Sequence, residues 1–248
     1  MVSTQSIEPV PCDADAIRKL YAELAQHPDK DFGWGKGKEN ARALGYEARW
    51  LDSLPDILWE SSSAVGNPFS AAPLREGDVV VDLGCGAGTD ACIAALIVGE
   101  KGHVTGVDLT PAMIEKAKRV AQAVKLSNVT FYVGDMIGVP VTDASVDVVI
   151  SNGAINLSAR KPCVFREAYR MLKPGGRLQF ADMVRTSAAV SDACASWENC
   201  IAGTVEPEQY LKMLREAGFE RAELVTLTGY KTAAMTTGAI FRADKHRA

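Results

Sequence analysis

Apolar runs and apolar stripes alternate along this chain from Val79 onward. Val79 to Val81 is short, β-branched and without alternation, which predicts a strand buried on both faces. The run passes through LGCGAGT, and from about Thr89 the sequence DACIAALI predicts a helix. The same unit then recurs. His103 to Leu109 reads as a second strand, followed by Thr110 as cap and Pro111 at the first helical position, with Met113, Ala117, Val120, Ala121 and Val124 on one helix face. Val129 opens a third strand that Gly134 and Asp135 break, and Val146 to Ile150 predicts a central fourth strand ending at Ser151, Asn152 and Gly153. Lys161 to Leu172 predicts a helix that KPGG stops, with Gly175 and Gly176 as its caps. GRLQFADMV is the fifth strand, Glu206 to Ala217 a helix ended by Gly218, and AELVTLTGY with TTGAIFRA a closing hairpin. The basic tail after Phe241 is expected to fray. The fold class is therefore α/β: a mostly parallel seven-stranded sheet with helices on both faces and an antiparallel C-terminal hairpin.

Ahead of the first strand, Ile17, Leu20, Tyr21 and Leu24 mark an amphipathic helix that Asp13 can cap. The stretch HPDKDFGWGKGKENARALGY is dense in glycine and charge, with short helices expected from about Glu39 to Leu44 and near Trp50. Long loops in compact domains usually carry function. Residues 1–72 are thus expected to form a helical and loop extension acting as a lid, with residues 73–248 as the main domain. RTSAAVSDACASWENCIAGT, at about 185–205, leaves the strand pattern and is expected as a cap insertion. Tyr21 belongs to the core or to the lid; Trp34 and Trp59 pack the lid or present their faces to a cation. No internal repeat is present.

Composition narrows the partners. The 248 residues carry a net charge of −4 with no basic run, which argues against nucleic acid and an anionic membrane surface. No charged leader precedes an apolar core and no run reaches a membrane span, so a cytoplasmic protein with a small-molecule partner is expected. Six cysteines, Cys12, Cys85, Cys92, Cys163, Cys194 and Cys200, contain no CxxC pair, so neither a disulfide framework nor a metal site is indicated. Oligomeric state leaves no mark in the sequence.

Chemistry concentrates in the glycine-rich turn. Gly84, Gly86 and Gly88 allow a sharp bend and close approach by a ligand, and the helix that follows aims its free amides at the same place. A dinucleotide fingerprint needs glycine or alanine at its sixth position, where this chain has Thr89, so a nicotinamide cofactor is disfavoured. Asp108 closes the second strand about twenty residues on, where an acid accepts ribose hydroxyls.

DLGCGAG, with the strand-end acid Asp82, resembles the first motif of the class I S-adenosylmethionine-dependent methyltransferases, and RMLKPGGRLQFAD resembles a late motif of the same superfamily. The resemblance implies a Rossmann-like sheet, S-adenosyl-L-methionine as cofactor, and residues 73–248 as the methyltransferase domain. It implies a cofactor site of Asp82, Gly84, Cys85, Gly86, Gly88, Asp108, Leu109, Met113, Gly134, Asp135, Met136, Ser151 and Asn152. Asp135 would meet the adenine amino group and Met136 its ring; the Gly134–Asp135 pair is otherwise a plain turn. Cys85 reads as a small turn residue.

Within that superfamily DLGCGAGTD, GVDLTPAMIEKA, VVISNGAINLS, FREAYRMLKPGGRL and NCIAG resemble the bacterial arsenite methyltransferases. That family holds trivalent arsenic on three cysteines. Here the first place reads AVGNP, the second is Gly153, and only Cys200 matches. The resemblance therefore implies in-line methyl transfer to a small, soft nucleophile, with arsenite methylation through Cys200 or a non-catalytic cofactor-binding protein as alternatives. Cys200, Asn152 and Asn156 are the candidate catalytic residues, with Trp197 and Glu198 as further acceptor contacts; Cys200 is otherwise a small buried residue.

Overall fold

A computed structural model describes residues 14–186 and 203–247. Its strands are β1 (Val79–Leu83), β2 (His103–Asp108), β3 (Val129–Val133), β4 (Val146–Asn152), β5 (Leu172–Arg185), β6 (Arg221–Leu227) and β7 (Thr236–Asp244). They form one sheet in the order β3-β2-β1-β4-β5-β7-β6. β1 to β5 are mutually parallel, and β7 runs antiparallel between β5 and β6. The chain steps outward from β1 to β3, then returns to place β4 on the other side of β1. A crevice opens at such a reversal, beyond the carboxyl ends of the strands.

The α-helices are α1 (Ala14–Gln26), α2 (Gly37–Ala43), α3 (Ala48–Ser53), α4 (Thr89–Val98), α5 (Pro111–Ala123), α6 (Lys161–Met171) and α7 (Pro207–Glu216), with short 3-10 turns at Asp56–Leu58, Pro68–Ser70 and Ile155–Leu157. Successive strand side chains face opposite ways. Val80 accordingly joins a core with Ile93 of α4 and Ile114 of α5, whereas Val81 and Leu83 join Val164 of α6 and Leu214 of α7. Helix α4 is apolar nearly all round because it is covered twice: by the sheet, and by Tyr46, Trp50, Leu51 and Trp59 from the N-terminal region. Those residues belong to the same core as β1. Helix α1 instead packs Leu24 and Ala25 on Ala87 and Met113.

The structure corrects two local expectations, the KPGG helix stop and the frayed tail. KPGG does not cap α6: the helix ends at Met171 and Leu172 is already extended, because Leu172 pairs with Val146 of β4. KPGG lies inside β5, where the register with β4 shifts between Val146 and Val148 and Gly175 takes a φ of +79°. Thr110 at the N-cap of α5 and Pro111 at its first position fall where expected, and Asp108 Oδ1 accepts the Thr110 amide at 2.8 Å. The tail docks through Lys245, whose ammonium donates to the carbonyls of Tyr169 and Leu172 and lies 4.3 Å from the Tyr169 ring centre.

Candidate functional site

A cavity of about 420 Å³ lies at the carboxyl ends of β1, β2 and β4, with α1 and Ser61–Ala64 on its open side. Its floor is the glycine turn. Gly86 has a φ of +51°, and a Cβ built there meets nothing within 4 Å, so a side chain would project into space that a ligand can use. Gly84 admits the opposite wall: a Cβ on it would lie 2.1 Å from Ala154 Cβ. Gly88 does not line the cavity; it lets α5 and β3 close in through Ala117 and Phe131.

Three carboxyl groups surround this floor, Asp82 and Asp90 buried and Asp108 half-buried. Asp108 Oδ2 accepts the Gly86 amide at 2.9 Å and Oδ1 the Thr110 amide, so one side chain ties the glycine turn to the end of β2. Asp90 accepts from Tyr46 Oη at 2.7 Å and from Asn152 Nδ2 at 2.9 Å. Asp82 is 2% exposed and its Oδ2 has no hydrogen-bond partner. Burial raises all three above the ordinary carboxylate range; at Asp82 the neighbouring charges of Asp90 and Asp108 add to it, against the Ala91 amide. Arg160 is the one basic side chain among the described lining residues, and at the mouth it already pairs with Asp135 at 2.9 Å. An orphaned carboxylate oxygen in an acidic floor fits a cationic guest.

The remaining cofactor candidates divide. Leu109, Met113, Gly134, Asp135 and Met136 line one side of the cavity, as Cys85 lines its floor. Ser151 does not reach it; buried, it donates to the Leu83 carbonyl at 2.7 Å. Asn152 reaches it but is committed to the scaffold. Its Oδ1 accepts the Val65 amide at 3.0 Å, and its Nδ2 faces Tyr46 Oη, the Gly66 carbonyl and Asp90. Asn156 is fully buried behind the wall and does not line the cavity, so the structure gives it no direct contact with a ligand there.

The two replaced cysteine places are neighbours. A Cβ on Gly153 would lie 3.3 Å from Val65 Cγ1. Sequence separation hid this meeting of β4 with the AVGNP segment, which Asn152 straps together. Among the described cysteines, Cys85 alone lines the cavity; burial, then Asp82 and Asp108, hold its thiol far above the usual range, and burial pushes Cys92 up to about 12. Both are neutral thiols. Cys163 lies on α6 beside Arg166. Cys12, Cys194, Trp197, Glu198 and Cys200 lie outside the described residues, as does Asp13. No cluster of metal-binding side chains occurs among the described residues.

Neither Trp34 nor Trp59 lines the cavity: Trp34 donates to Ser63 Oγ at 3.1 Å, and Trp59 is buried beside Tyr46. Tyr21 packs beside Leu24 and also lines the cavity. The sequence reading missed Ser61–Ala64, Ile17, Thr89, Asp90 and Arg160 as lining residues. Asp90 carried a usable signal, a carboxylate inside an otherwise apolar helix.

A glycine turn leading into a helix, an acid at the end of the next strand and a crevice at the sheet's reversal define the nucleoside-cofactor site of an open α/β enzyme fold. Residues 74–218 match the family model described as a methyltransferase domain, and the chain belongs to that family. It is 42% identical over 184 residues to an arsenite methyltransferase of Halobacterium salinarum, covering 73% of this chain and 47% of that protein. It is 30% identical to the 27-O-demethylrifamycin SV methyltransferase of Amycolatopsis mediterranei, covering 82% of each. An arsenic(III) S-adenosylmethionine methyltransferase from Chlamydomonas reinhardtii superposes with a TM-score of 0.61 at 29% identity, over 96% of this chain and 75% of that one. The chain spans about half the length of the curated arsenite methyltransferases it matches.

Proposed function

We propose that this chain is a methyltransferase that binds S-adenosyl-L-methionine in the acidic cavity and methylates a small, soft nucleophile. The observation that carries the reading is the floor: Asp108 pinned to the glycine turn beside the one unpartnered carboxylate oxygen of Asp82, Oδ2. The cofactor supplies an electrophilic methyl group on a sulfonium. Asp82 would receive its ammonium, Asp108 its ribose hydroxyls, and Leu109, Met113 and Met136 its adenine ring. The wall from Gly153 to Ala159 and the side chains of Ile17 and Tyr21 would exclude water and hold the acceptor in line with the methyl group. No histidine lines the described cavity. Of the lining carboxyl groups, Asp108 is engaged by two backbone amides and Asp90 by Tyr46 and Asn152, so acceptors that are nucleophilic without a general base are favoured, such as a thiolate or a trivalent metalloid.

Arsenite methylation through Cys200 is the second reading, favoured by the identity to the Halobacterium protein and weakened by Val65 and Gly153. A cofactor-binding protein without turnover is the third. Helix α1 is taken as the lid. The partner is a small molecule, and a cytoplasmic location follows from the same reading; no helix among the described residues is long and apolar enough to cross a membrane. Methyl-labelled S-adenosyl-L-methionine incubated with arsenite, methylarsenite, thiols, selenite and phenols tests the assignment. A labelled thiol, selenium or arsenic product is expected. Cofactor binding without any product would favour the third reading, and no cofactor binding would end the proposal.

A further inference from the structure

Behind the wall from Gly153 to Arg160 lies a second group of buried polar side chains, Asp182 and Lys161. Asp182 of β5 is fully buried. Its Oδ2 accepts the Asn156 amide at 2.7 Å and Tyr210 Oη at 3.2 Å; its Oδ1 accepts the Met183 amide at 2.8 Å. Lys161 of α6 is buried as well, and its ammonium donates to the carbonyls of Asn156 and Ser158, each at 2.9 Å. Asn156 is thus held at its amide by an acid and at its carbonyl by a base. It sits in the middle of the wall whose residues Gly153, Ala154, Leu157, Ser158, Ala159 and Arg160 face the cavity.

Three elements, β5, α6 and α7, converge on one short turn, although a turn of that size needs no ionic support to form. A buried carboxylate and ammonium cost desolvation, and three of the bonds that offset it here fall on the backbone of the wall, one from the Asn156 amide to Asp182 and two from Lys161 to the Asn156 and Ser158 carbonyls. We propose that Asp182 is a positioning residue for the acceptor side of the cavity, holding the 153–160 wall through Asn156 together with Lys161. The inference rests on the reading of that wall as the acceptor side. The groups facing Asp182 are Lys161 from α6 and Tyr210 from α7. Burial pushes its carboxyl up to about 7, against its amide bonds, Lys161 and Tyr210. Opening the wall would hydrate the carboxyl and return it towards the ordinary value near 4. The closed wall therefore binds the extra proton between those values. Lower pH favours closure, and closure is lost as pH rises through about 7.

Hydrogen exchange of the full chain, corrected for the intrinsic pH dependence of the amides, tests this from pH 6 to about 8. Peptides spanning 154–160 in the natural chain should lose protection as pH rises. Asp182→Asn, which keeps shape but cannot ionise, should give a flat profile. Asp182→Ala should exchange at least tenfold faster in this segment at every pH, with the glycine turn, reported by the amides of Gly84 and Cys85, unchanged. Unchanged exchange at 154–160 in Asp182→Ala, equal acceleration across the sheet, or a sloping profile retained by Asp182→Asn would overturn the proposal. Binding of S-adenosyl-L-methionine is measured on the same samples. Its absence from the natural chain would defeat the proposed function, while the exchange data would still decide whether Asp182 holds the wall.

Discussion

The two sides of the cavity are built by different means. On the cofactor side one stretch of chain, Asp82 to Asp90, supplies strand end, turn and helix start, and Asp108 ties it to the neighbouring strand through a backbone amide. On the acceptor side the wall from Gly153 to Arg160 is held from outside, by Asn152 towards the AVGNP segment and by Asp182 and Lys161 from behind. The first is a local device that any acceptor chemistry can share. The second depends on contacts between residues far apart in sequence, among them Val65 with Gly153 and Asp182 with Asn156.

Removing the local device should have the largest effect. Asp108→Ala deletes the proposed ribose acceptor and releases the Gly86 and Thr110 amides together. Calorimetric affinity for S-adenosyl-L-methionine is expected to fall at least a hundredfold, about 3 kcal/mol, as for loss of hydrogen bonds to a charged group. Unchanged affinity would remove Asp108 from the cofactor site.

The comparison can be sharpened on the other side by restoring the thiols. Val65 and Gly153 are in contact range, and soft thiolates are suited to trivalent arsenic. Val65→Cys combined with Gly153→Cys should raise arsenite-dependent methyl transfer at least tenfold over the natural chain, and adding Cys200→Ser should return it to background. Strain at Gly153, whose φ is +68°, will lower stability by about 1 kcal/mol without reversing that ranking. Equal arsenite activity before and after restoration would show that these positions do not select the acceptor.

Asn152 joins the two sides, and its loss should act on stability. Asn152→Ala strands the half-buried Val65 amide and leaves the Gly66 carbonyl and Asp90 with Tyr46 alone among the bonds named. A drop of about 2–3 kcal/mol in urea unfolding is expected, since each unsatisfied buried group costs about 1–3 kcal/mol. A change below about 0.5 kcal/mol would mean that water replaces the amide.

The same contrast explains what the sequence made legible. The glycine turn, Asp108 and the order of strands and helices are written in consecutive residues, so hydrophobic period and spacing disclosed them, down to Thr89 as the first helical residue. KPGG misled because a strand pairing, Leu172 with Val146, overrode a local helix-stop signal. Lys245 misled likewise: a charged tail reads as solvated until two carbonyls and a ring face are brought to it. Asn156 lies in the short turn after β4, and its amide is taken by Asp182, 26 positions away. The apolar pairing of Val65 with Gly153 likewise needs the folded chain, since 88 positions separate the two residues and nothing in either local pattern points to the other.

The smallest effect should come from the rim, where both sides meet the solvent. Arg160 and Asp135 are paired at 2.9 Å, yet their side chains are 61% and 45% exposed. Exposed pairs contribute about 0–1 kcal/mol because water screens the charges and ordering two long side chains costs entropy. Arg160→Gln should therefore leave thermal stability within about 1 °C. Asp135 keeps its bond from the Ile137 amide at 3.2 Å, so its carboxylate stays at the rim when the guanidinium is gone. Affinity for S-adenosyl-L-methionine should change less than threefold in low salt and still less at higher ionic strength, where the pair is already screened. A tenfold loss that persists in high salt would mean that Arg160 orders the mouth through more than its charge. The line between a locally built cofactor side and an externally held acceptor side would then have to run through the 153–160 wall itself, because Arg160 ends that wall and Asp135 belongs to the cofactor set.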